Sequence, residues 1–198
     1  MAEISPRGRS GAARPPAGSG RRTVYLIAAL VLAPIVGSYI AYYFVPREVR
    51  VNYGMLLPTV PAPAIEGTRA DGSPFRLEDV RGRWVLLGSG GAGCDSACER
   101  RLYASRQART MQGKDQDRIV RVWLVVGDAM PAATFLAQHP GLIAVRVANT
   151  TPDRLPGGSG QLYLIDPLGN FVLRYPNDPD VRGIANDLAR LLRASRIG

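Results

Sequence analysis

The stretch that decides the fold is residues 84–101, WVLLGSGGAGCDSACERR, which contains both cysteines of the chain. It opens with residues 84–87, a continuous apolar run typical of a buried strand. A glycine-rich segment follows, and a helix is predicted over about residues 97–112. Cys94 therefore lies just before a helix N-terminus, and Cys98 lies one helical turn further along. We expect the chemistry of the domain at this junction of strand and helix.

Strand and helix patterns alternate around this stretch. A hairpin is predicted over residues 65–77, because Asp71-Gly72 supplies the positive φ angles of a tight turn. The remaining predicted elements are strands at 119–126, 141–147, 161–165 and 171–175, a short helix at 131–139, and an amphipathic helix at 180–194. The pattern predicts an α/β fold, a central β-sheet flanked by helices.

A membrane-spanning helix is predicted over residues 23–45, twenty-three residues without a charge. At 1.5 Å of rise per residue this segment spans a hydrocarbon core of about 30 Å. A cleaved signal peptide would have a shorter apolar region and a small-residue cleavage site, and the sequence has neither. We therefore expect one uncleaved N-terminal anchor.

The flanks of the anchor predict its orientation. Residues 1–22 carry five Arg and one Glu, so the positive-inside rule keeps this end, a disordered basic tail, in the cytoplasm. Lys114 is the single lysine among 25 basic residues, a usage that suggests a GC-rich bacterial genome. The expected location is the bacterial inner membrane. A Pro-rich tether over residues 46–63 then leads to a periplasmic domain over residues 64–198.

The cysteine pair has three candidate roles. In the oxidising periplasm Cys94 and Cys98 can form a disulfide that cycles, with Cys94 as the exposed nucleophile and Cys98 as the inner, resolving thiol. The helix N-terminus, Arg100 and Arg101 favour a thiolate there. Two thiolates at this spacing also suit copper(I). The third role is a static disulfide, although so short a loop constrains little chain entropy.

The glycines before Cys94 have a competing interpretation. Residues 88–93 match the G-x-G-x-x-G pattern of dinucleotide sites. Such a site needs an acid about 20 residues further on, whereas Asp128 follows Gly93 by thirty-five residues and is expected to cap a turn. We instead expect the glycines to form a flexible loop whose backbone comes close to what the cysteines contact.

The net charge of +9 limits the kinds of partner. Nucleic acid is not expected as a partner, because the domain is predicted to lie outside the cytoplasm. An acidic partner or anionic lipid headgroups fit the charge better. The remaining alternative is an Arg-rich surface that is simply solvated.

Several segments together resemble the thioredoxin-like superfamily over roughly residues 60–195. They are residues 70–77 (ADGSPFRL), residues 81–87 (RGRWVLL), the Cys94/Cys98 loop, and residues 163–171 (YLIDPLGNF). The C-x-x-x-C spacing and the Tyr-Leu-Ile-Asp-Pro-x-Gly strand and turn resemble its Sco/SenC branch. The resemblance implies a thioredoxin-like fold and a membrane-anchored protein that handles copper and thiols during cytochrome c oxidase assembly. It implies oxidase subunits or other assembly factors, and the inner membrane, as partners.

The sequence departs from the Sco pattern in its ligands. Sco proteins carry a third copper ligand, a His shortly before the Tyr-Leu-Ile strand, but residues 155–161 (LPGGSGQ) contain none. The only histidine, His139, is expected to be a helix cap or a surface residue. Cys94 and Cys98 are thus the candidate metal ligands with no third ligand identified, although Met111 and Met130 are candidates.

Two functional hypotheses follow. In the first, the protein is a periplasmic thiol-disulfide or copper-handling factor in oxidase assembly, with Cys94 and Cys98 cycling; its enzymatic form is a thiol-disulfide oxidoreductase. Gly and Ala replace the aromatic residues that usually precede the first thioredoxin cysteine, so general disulfide catalysis is not expected. In the second, the protein is a non-catalytic accessory factor that binds an assembly partner, and its disulfide is static.

Overall fold

The computed structural model describes residues 20–44 and 52–195. The first range is one helix, α1 (Gly20–Phe44), and the second is a folded domain. Within α1, Gly20–Ile40 is long and apolar enough to cross a membrane, judged by length and composition. A helix is thus confirmed at the predicted position, although it begins at Gly20 and residue 45 lies outside the described residues; that it spans a membrane stays a prediction. Most of the predicted basic tail and residues 46–51 of the predicted tether lie outside the described residues.

The domain has eight strands and three helices within residues 52–195. They are, in chain order, β1 (Met55–Pro61), β2 (Glu66–Arg69), β3 (Pro74–Arg76), β4 (Trp84–Gly91), α2 (Ser96–Thr110), β5 (Ile119–Val126), α3 (Ala133–Ala137), β6 (Leu142–Val147), β7 (Leu162–Ile165), β8 (Asn170–Tyr175) and α4 (Val181–Ala194). The sheet order is β1-β8-β7-β4-β5-β6-β2-β3. Strands β4, β5 and β6 are parallel, and the other pairs are antiparallel. A central sheet with flanking helices is thus confirmed.

Strand β4 lies in the middle of the sheet, between β7 and β5, and both of its faces are covered. Trp84 and Leu86 pack on the face that α2 and α4 cover, whereas Val85 and Leu87 pack in the core on the opposite face. Successive strand residues point to opposite faces, so a strand buried on both sides is apolar at every position. This explains the uninterrupted run with which the strand begins.

The glycine-rich segment before Cys94 differs from the expected flexible loop. Gly88 and Gly90 belong to β4 and pair in parallel register with Trp123 and Val125 of β5. The strand continues to Gly91, because the backbone hydrogen bonds of a central strand hold glycine in place despite its low strand propensity. Most of the residues that match the dinucleotide pattern therefore belong to strand β4. They do not form the phosphate-binding turn that this motif forms in dinucleotide sites.

Strand β1 lies in the stretch that was expected to be a tether. It pairs antiparallel with β8 at the edge of the sheet, and the folded domain therefore extends before residue 64. Proline cannot donate to a strand ladder, which makes Pro58 and Pro61 look incompatible with a sheet. An edge strand tolerates proline because one side of its backbone has no partner strand.

A buried carboxylate on α4 holds the chain just before β1. Asp187, only 1% exposed, accepts hydrogen bonds from the backbone N–H groups of Tyr53 (2.9 Å) and Gly54 (2.8 Å). The Tyr53 hydroxyl accepts one from the N–H of Asp180 at 2.8 Å. A side chain at Gly183 would collide with the Tyr53 ring. We call the contact of residues 52–54 with α4 the Asp187 clasp.

The remaining predicted elements are confirmed with small shifts of their ends. The first hairpin is formed by β2 and β3, and Gly72 in its turn has a φ of +83°. Helix α4 begins after Asp180, whose carboxylate accepts from the N–H of Gly183 at 2.7 Å. The helix predicted over residues 131–139 is shorter in the structure, where α3 covers Ala133–Ala137.

Candidate functional site

Both cysteines lie where β4 passes into α2. The N–H of Cys94 donates to the carbonyl of Gly91 at 3.1 Å, which turns the chain at the end of the strand. Asp95 is the N-cap of α2, and its carboxylate accepts from the N–H of Cys98 at 2.8 Å. This cap fixes the first turn of the helix relative to the strand. The two cysteines are thus positioned by a turn and a cap that follow directly from the local sequence.

Cys94 and Cys98 form a disulfide, with Cα atoms 5.2 Å apart. Cys94 has a φ of +26° and is the one non-glycine residue with positive φ within residues 20–44 and 52–195. L-residues rarely adopt this conformation, and it tends to occur at functional sites.

The two cysteines are less accessible than we expected. The prediction that Cys94 is exposed is wrong, because Cys94 is 6% exposed and Cys98 is 4% exposed. Both pack in one small core with Leu102, Trp123 and Val125. A cysteine side chain behaves as a small apolar group, so it is buried where such a surface is offered.

Trp123 and Gly90 lie close to Cys98 on the side of the sheet. A methyl group at Gly90 would lie 3.5 Å from Cys98 Sγ and 3.4 Å from Trp123 Nε1. The close backbone approach that we predicted from the glycines is thus seen at Gly90. Trp123 is 1% exposed, as expected for a core residue, and its Nε1 has no hydrogen-bond partner in the described residues.

An open groove of about 660 Å³ gives access to the disulfide. It is bordered by the end of β4, the start of α2, Val126 and two later loop regions. Its lining residues are Gly90, Gly91, Gly93, Cys94, Asp95, Cys98, Arg101, Val126, Asn149, Asp153, Ser159 and Gly160. The N–H of Gly160 donates to Ser89 Oγ at 3.1 Å, which ties the loop to β4. A small reductant or an extended peptide therefore has room beside the two sulfurs.

Arg101 is the cation of this groove. Arg101 is 8% exposed, and its guanidinium makes no hydrogen bond or ion pair within the described parts of the chain. Burial lowers the pKa of its guanidinium, the carboxylate of Asp95 acts against this shift, and Arg100 adds to it. Arg100 itself is exposed and pairs with Asp178 at 2.9 Å. The two adjacent arginines thus have different surroundings.

The third metal ligand of the Sco pattern has no counterpart in the groove. Ser159 and Gly160 line the groove in the segment just before β7, where Sco proteins are expected to carry their His. Within the described residues no group of three or more His, Cys, Asp or Glu could hold a metal ion. Met111 is 56% exposed and does not line the groove, while Met130 packs against the core that contains the cysteines.

The other residues considered from the sequence lie outside the groove lining. His139 follows α3, and its ring is tilted by 44° against that of Phe135 with centroids 4.7 Å apart. Burial, and then Arg121 and Arg106, lower the pKa of His139. The carbonyl of Asp128 accepts from Arg146 Nη1 at 3.3 Å. The acids that line the groove are instead Asp95 and Asp153.

Comparison with known proteins supports the fold. A family described as a transmembrane-like, thioredoxin-like, C-terminal domain matches residues 84–195, more than half of the chain. No curated protein matches the sequence.

Solved structures with the same fold include copper-bound proteins and an oxidoreductase. Copper-bound ScoI of Arabidopsis thaliana is 20% identical with a TM-score of 0.58, over 69% of this chain and 100% of that one. Copper-bound yeast Sco1 is 16% identical with a TM-score of 0.60, over 70% and 96%. The thioredoxin domain of a Bacteroides vulgatus thiol-disulfide oxidoreductase is 20% identical with a TM-score of 0.53, over 68% and 98%.

Proposed function

The chain belongs to the family with a transmembrane-like, thioredoxin-like C-terminal domain, and we propose that it is a membrane-anchored factor whose Cys94/Cys98 pair handles thiols and copper. The observation that carries this proposal is the position of the disulfide, at the edge of an open groove between β4 and the capped N-terminus of α2. A static disulfide needs no such access.

The proposed redox step is thiol-disulfide exchange. A thiolate of a client dithiol attacks one sulfur of the Cys94–Cys98 bond, which breaks as a mixed disulfide forms and the other cysteine leaves as a thiolate. The second client thiol then displaces the first cysteine, so the client leaves as a disulfide and the pair as a dithiol. Two electrons and two protons pass to the protein in each exchange.

Copper(I) is the proposed cargo of the reduced pair. Two thiolates are soft ligands that suit Cu(I), and reduction of the disulfide would supply them side by side. Arabidopsis ScoI and yeast Sco1 are copper-bound proteins of this fold, which supports the same cargo here. Since the Sco histidine is missing, we propose a two-thiolate site that binds more weakly than one with a third ligand.

The cellular setting is proposed from the anchor and the Sco resemblance. We place the domain in the bacterial periplasm, with α1 in the inner membrane and the N-terminus in the cytoplasm, because basic residues dominate the first flank. Cytochrome c oxidase subunits or other assembly factors are the proposed partners.

A second candidate function has its own supporting observation. Both cysteines are at least nine-tenths buried, and within the described residues no group of three or more His, Cys, Asp or Glu could hold a metal ion. These features favour an accessory protein that binds an assembly partner through the groove and keeps its disulfide closed.

Copper(I) titration of the reduced full-length protein in detergent micelles tests the copper part of the proposal. We expect one Cu(I) per wild-type chain and none in Cys94→Ser/Cys98→Ser, in competition with a Cu(I) chelator. Met111→Leu is the matched control, because this exposed residue lies outside the groove lining. Equal, weak binding by the wild type and the double variant would exclude copper as the cargo.

A further inference from the structure

Arg101 differs from the other arginines around α2 because its guanidinium makes no hydrogen bond or ion pair within the described residues, although the carboxylate of Asp95 acts on its charge electrostatically. Arg121 is also buried, at 1% exposed, but its guanidinium donates to Ser105 Oγ (3.1 Å) and to the carbonyls of Leu102 (3.1 Å) and Pro140 (3.3 Å). Arg100 pairs with Asp178. Arg101 has neither a carbonyl nor a carboxylate within hydrogen-bonding distance in the described residues. Burial lowers the pKa of the Arg101 guanidinium and Asp95 offsets this only in part, so a further anion beside the guanidinium would stabilise its charge.

The guanidinium of Arg101 faces the space in front of the disulfide. A methyl group at Gly160 would lie 3.9 Å from Arg101 Nη2, so the side chain reaches from α2 to the loop before β7. Arg101 lines the groove together with Cys94 and Cys98. An anion that enters the groove would therefore meet Arg101 and the sulfurs together.

The N-terminus of α2 adds positive potential at the same place. Helix α2 has 15 residues, and its first turn opens beside Cys94. The helix dipole and the free N–H groups of a helix N-terminus favour negative charge.

Two carboxylates in the groove lining act against an anion. The carboxylate of Asp95 already accepts the N–H of Cys98, and Asp153 lies on the exposed rim, where solvent screens its charge. Their presence restricts an incoming anion to the Arg101 side of the groove.

We propose that Arg101 binds a carboxylate of the polypeptide that enters the groove, so that the preferred clients of the Cys94/Cys98 pair carry an acidic residue near their own cysteine. This inference rests on the proposed function and names its substrate class. It agrees with the net charge of +5 that residues 46–198 carry, which favours acidic partners. A charge-assisted hydrogen bond to a desolvated arginine also orients the client, which a screened surface pair does not.

Matched peptides test the subsite on the oxidised full-length protein in detergent micelles. One peptide carries a single Cys flanked by Glu, and the other carries Gln in place of Glu. We measure the rate of mixed-disulfide formation for both, so that the effect of Glu on the peptide thiol itself cancels between protein variants. The wild type should favour the Glu peptide at least about tenfold more than Arg101→Gln does. Arg100→Gln, the matched control, should retain the wild-type preference.

Two further measurements distinguish loss of the carboxylate subsite from a folding defect and from a failure of thiol exchange. Arg101→Lys keeps the charge and should retain part of the preference, which guards against a folding defect in Arg101→Gln. Peptides with Ser in place of Cys, followed by fluorescence anisotropy, measure carboxylate binding without exchange. If neither Cys peptide reacts, thiol exchange fails as a function, while the anisotropy arm still tests the subsite. An equal Glu preference in the wild type and Arg101→Gln overturns the proposal, as does competition by inorganic phosphate without any Glu preference.

Discussion

An Asp187→Ala variant is expected to lower the free energy of unfolding of the domain by about 3 kcal/mol. The substitution leaves the part-buried N–H of Tyr53 and the buried N–H of Gly54 without their acceptor, and an unsatisfied buried group costs roughly 1–3 kcal/mol. It also removes a side chain that is only 1% exposed. Thermal unfolding of the full-length protein in detergent micelles should show a midpoint lowered by about 10 °C.

Two further substitutions calibrate this expectation. Asp187→Asn keeps one acceptor oxygen but puts a donor opposite the other N–H, so we expect it to destabilise too, although less than Ala. Asp178→Ala is the matched control, since its ion pair with Arg100 is on the surface and contributes at most about 1 kcal/mol. A loss of less than about 0.5 kcal/mol in Asp187→Ala would show that the Asp187 clasp does not hold residues 52–54.

A Ser159→His variant is expected to bind Cu(I) at least about tenfold more tightly than the wild type, because even an outer-shell partner is worth roughly 10–100-fold in metal affinity. Ser159 lines the groove with both cysteines and is itself exposed, so an imidazole fits there without displacing the core. Gly160 is a poorer position, because its φ of +76° favours glycine. Competition with a Cu(I) chelator measures the gain.

The gain should depend on both the new nitrogen and the thiols. Ser159→Asn, a side chain of similar reach with a poor copper donor, is expected to leave the affinity unchanged. Adding Cys98→Ser to Ser159→His should remove the gain. If Ser159→His binds no better than Ser159→Asn, the loop before β7 does not reach a metal held by the cysteine pair.

The central part of the fold could be predicted because its signals are local. The apolar run at the start of β4, the Asp71-Gly72 turn and the periodicity of α4 each depend on residues that are close in sequence. Strand β1 could not be predicted in this way, because its stability depends on pairing with β8, more than a hundred residues later. The prolines in β1 are compatible with a sheet only at an edge, and sequence alone does not identify the edge.

The candidate site likewise has some features that local sequence could predict and others that it could not. The cysteine spacing and the helix start predicted a disulfide-capable pair, which the structure confirms. The contrast between Arg100 and Arg101 could not be predicted, since adjacent helix residues differ only in what packs against them. The burial of Cys94 depends on Trp123 and Val125 from β5, and the groove depends on Ser159 and Gly160 from a distant loop.

A redox titration of the Cys94–Cys98 disulfide tests the central claim most directly. The full-length protein is equilibrated in thiol buffers of known potential, and the reduced fraction is followed by the fluorescence of Trp123, which packs in the same small core as the cysteines. Trp123→Phe identifies the signal of Trp84, the other tryptophan. A reversible pair predicts a midpoint above about −300 mV, and a disulfide that remains closed below this potential would contradict the account and favour a static role.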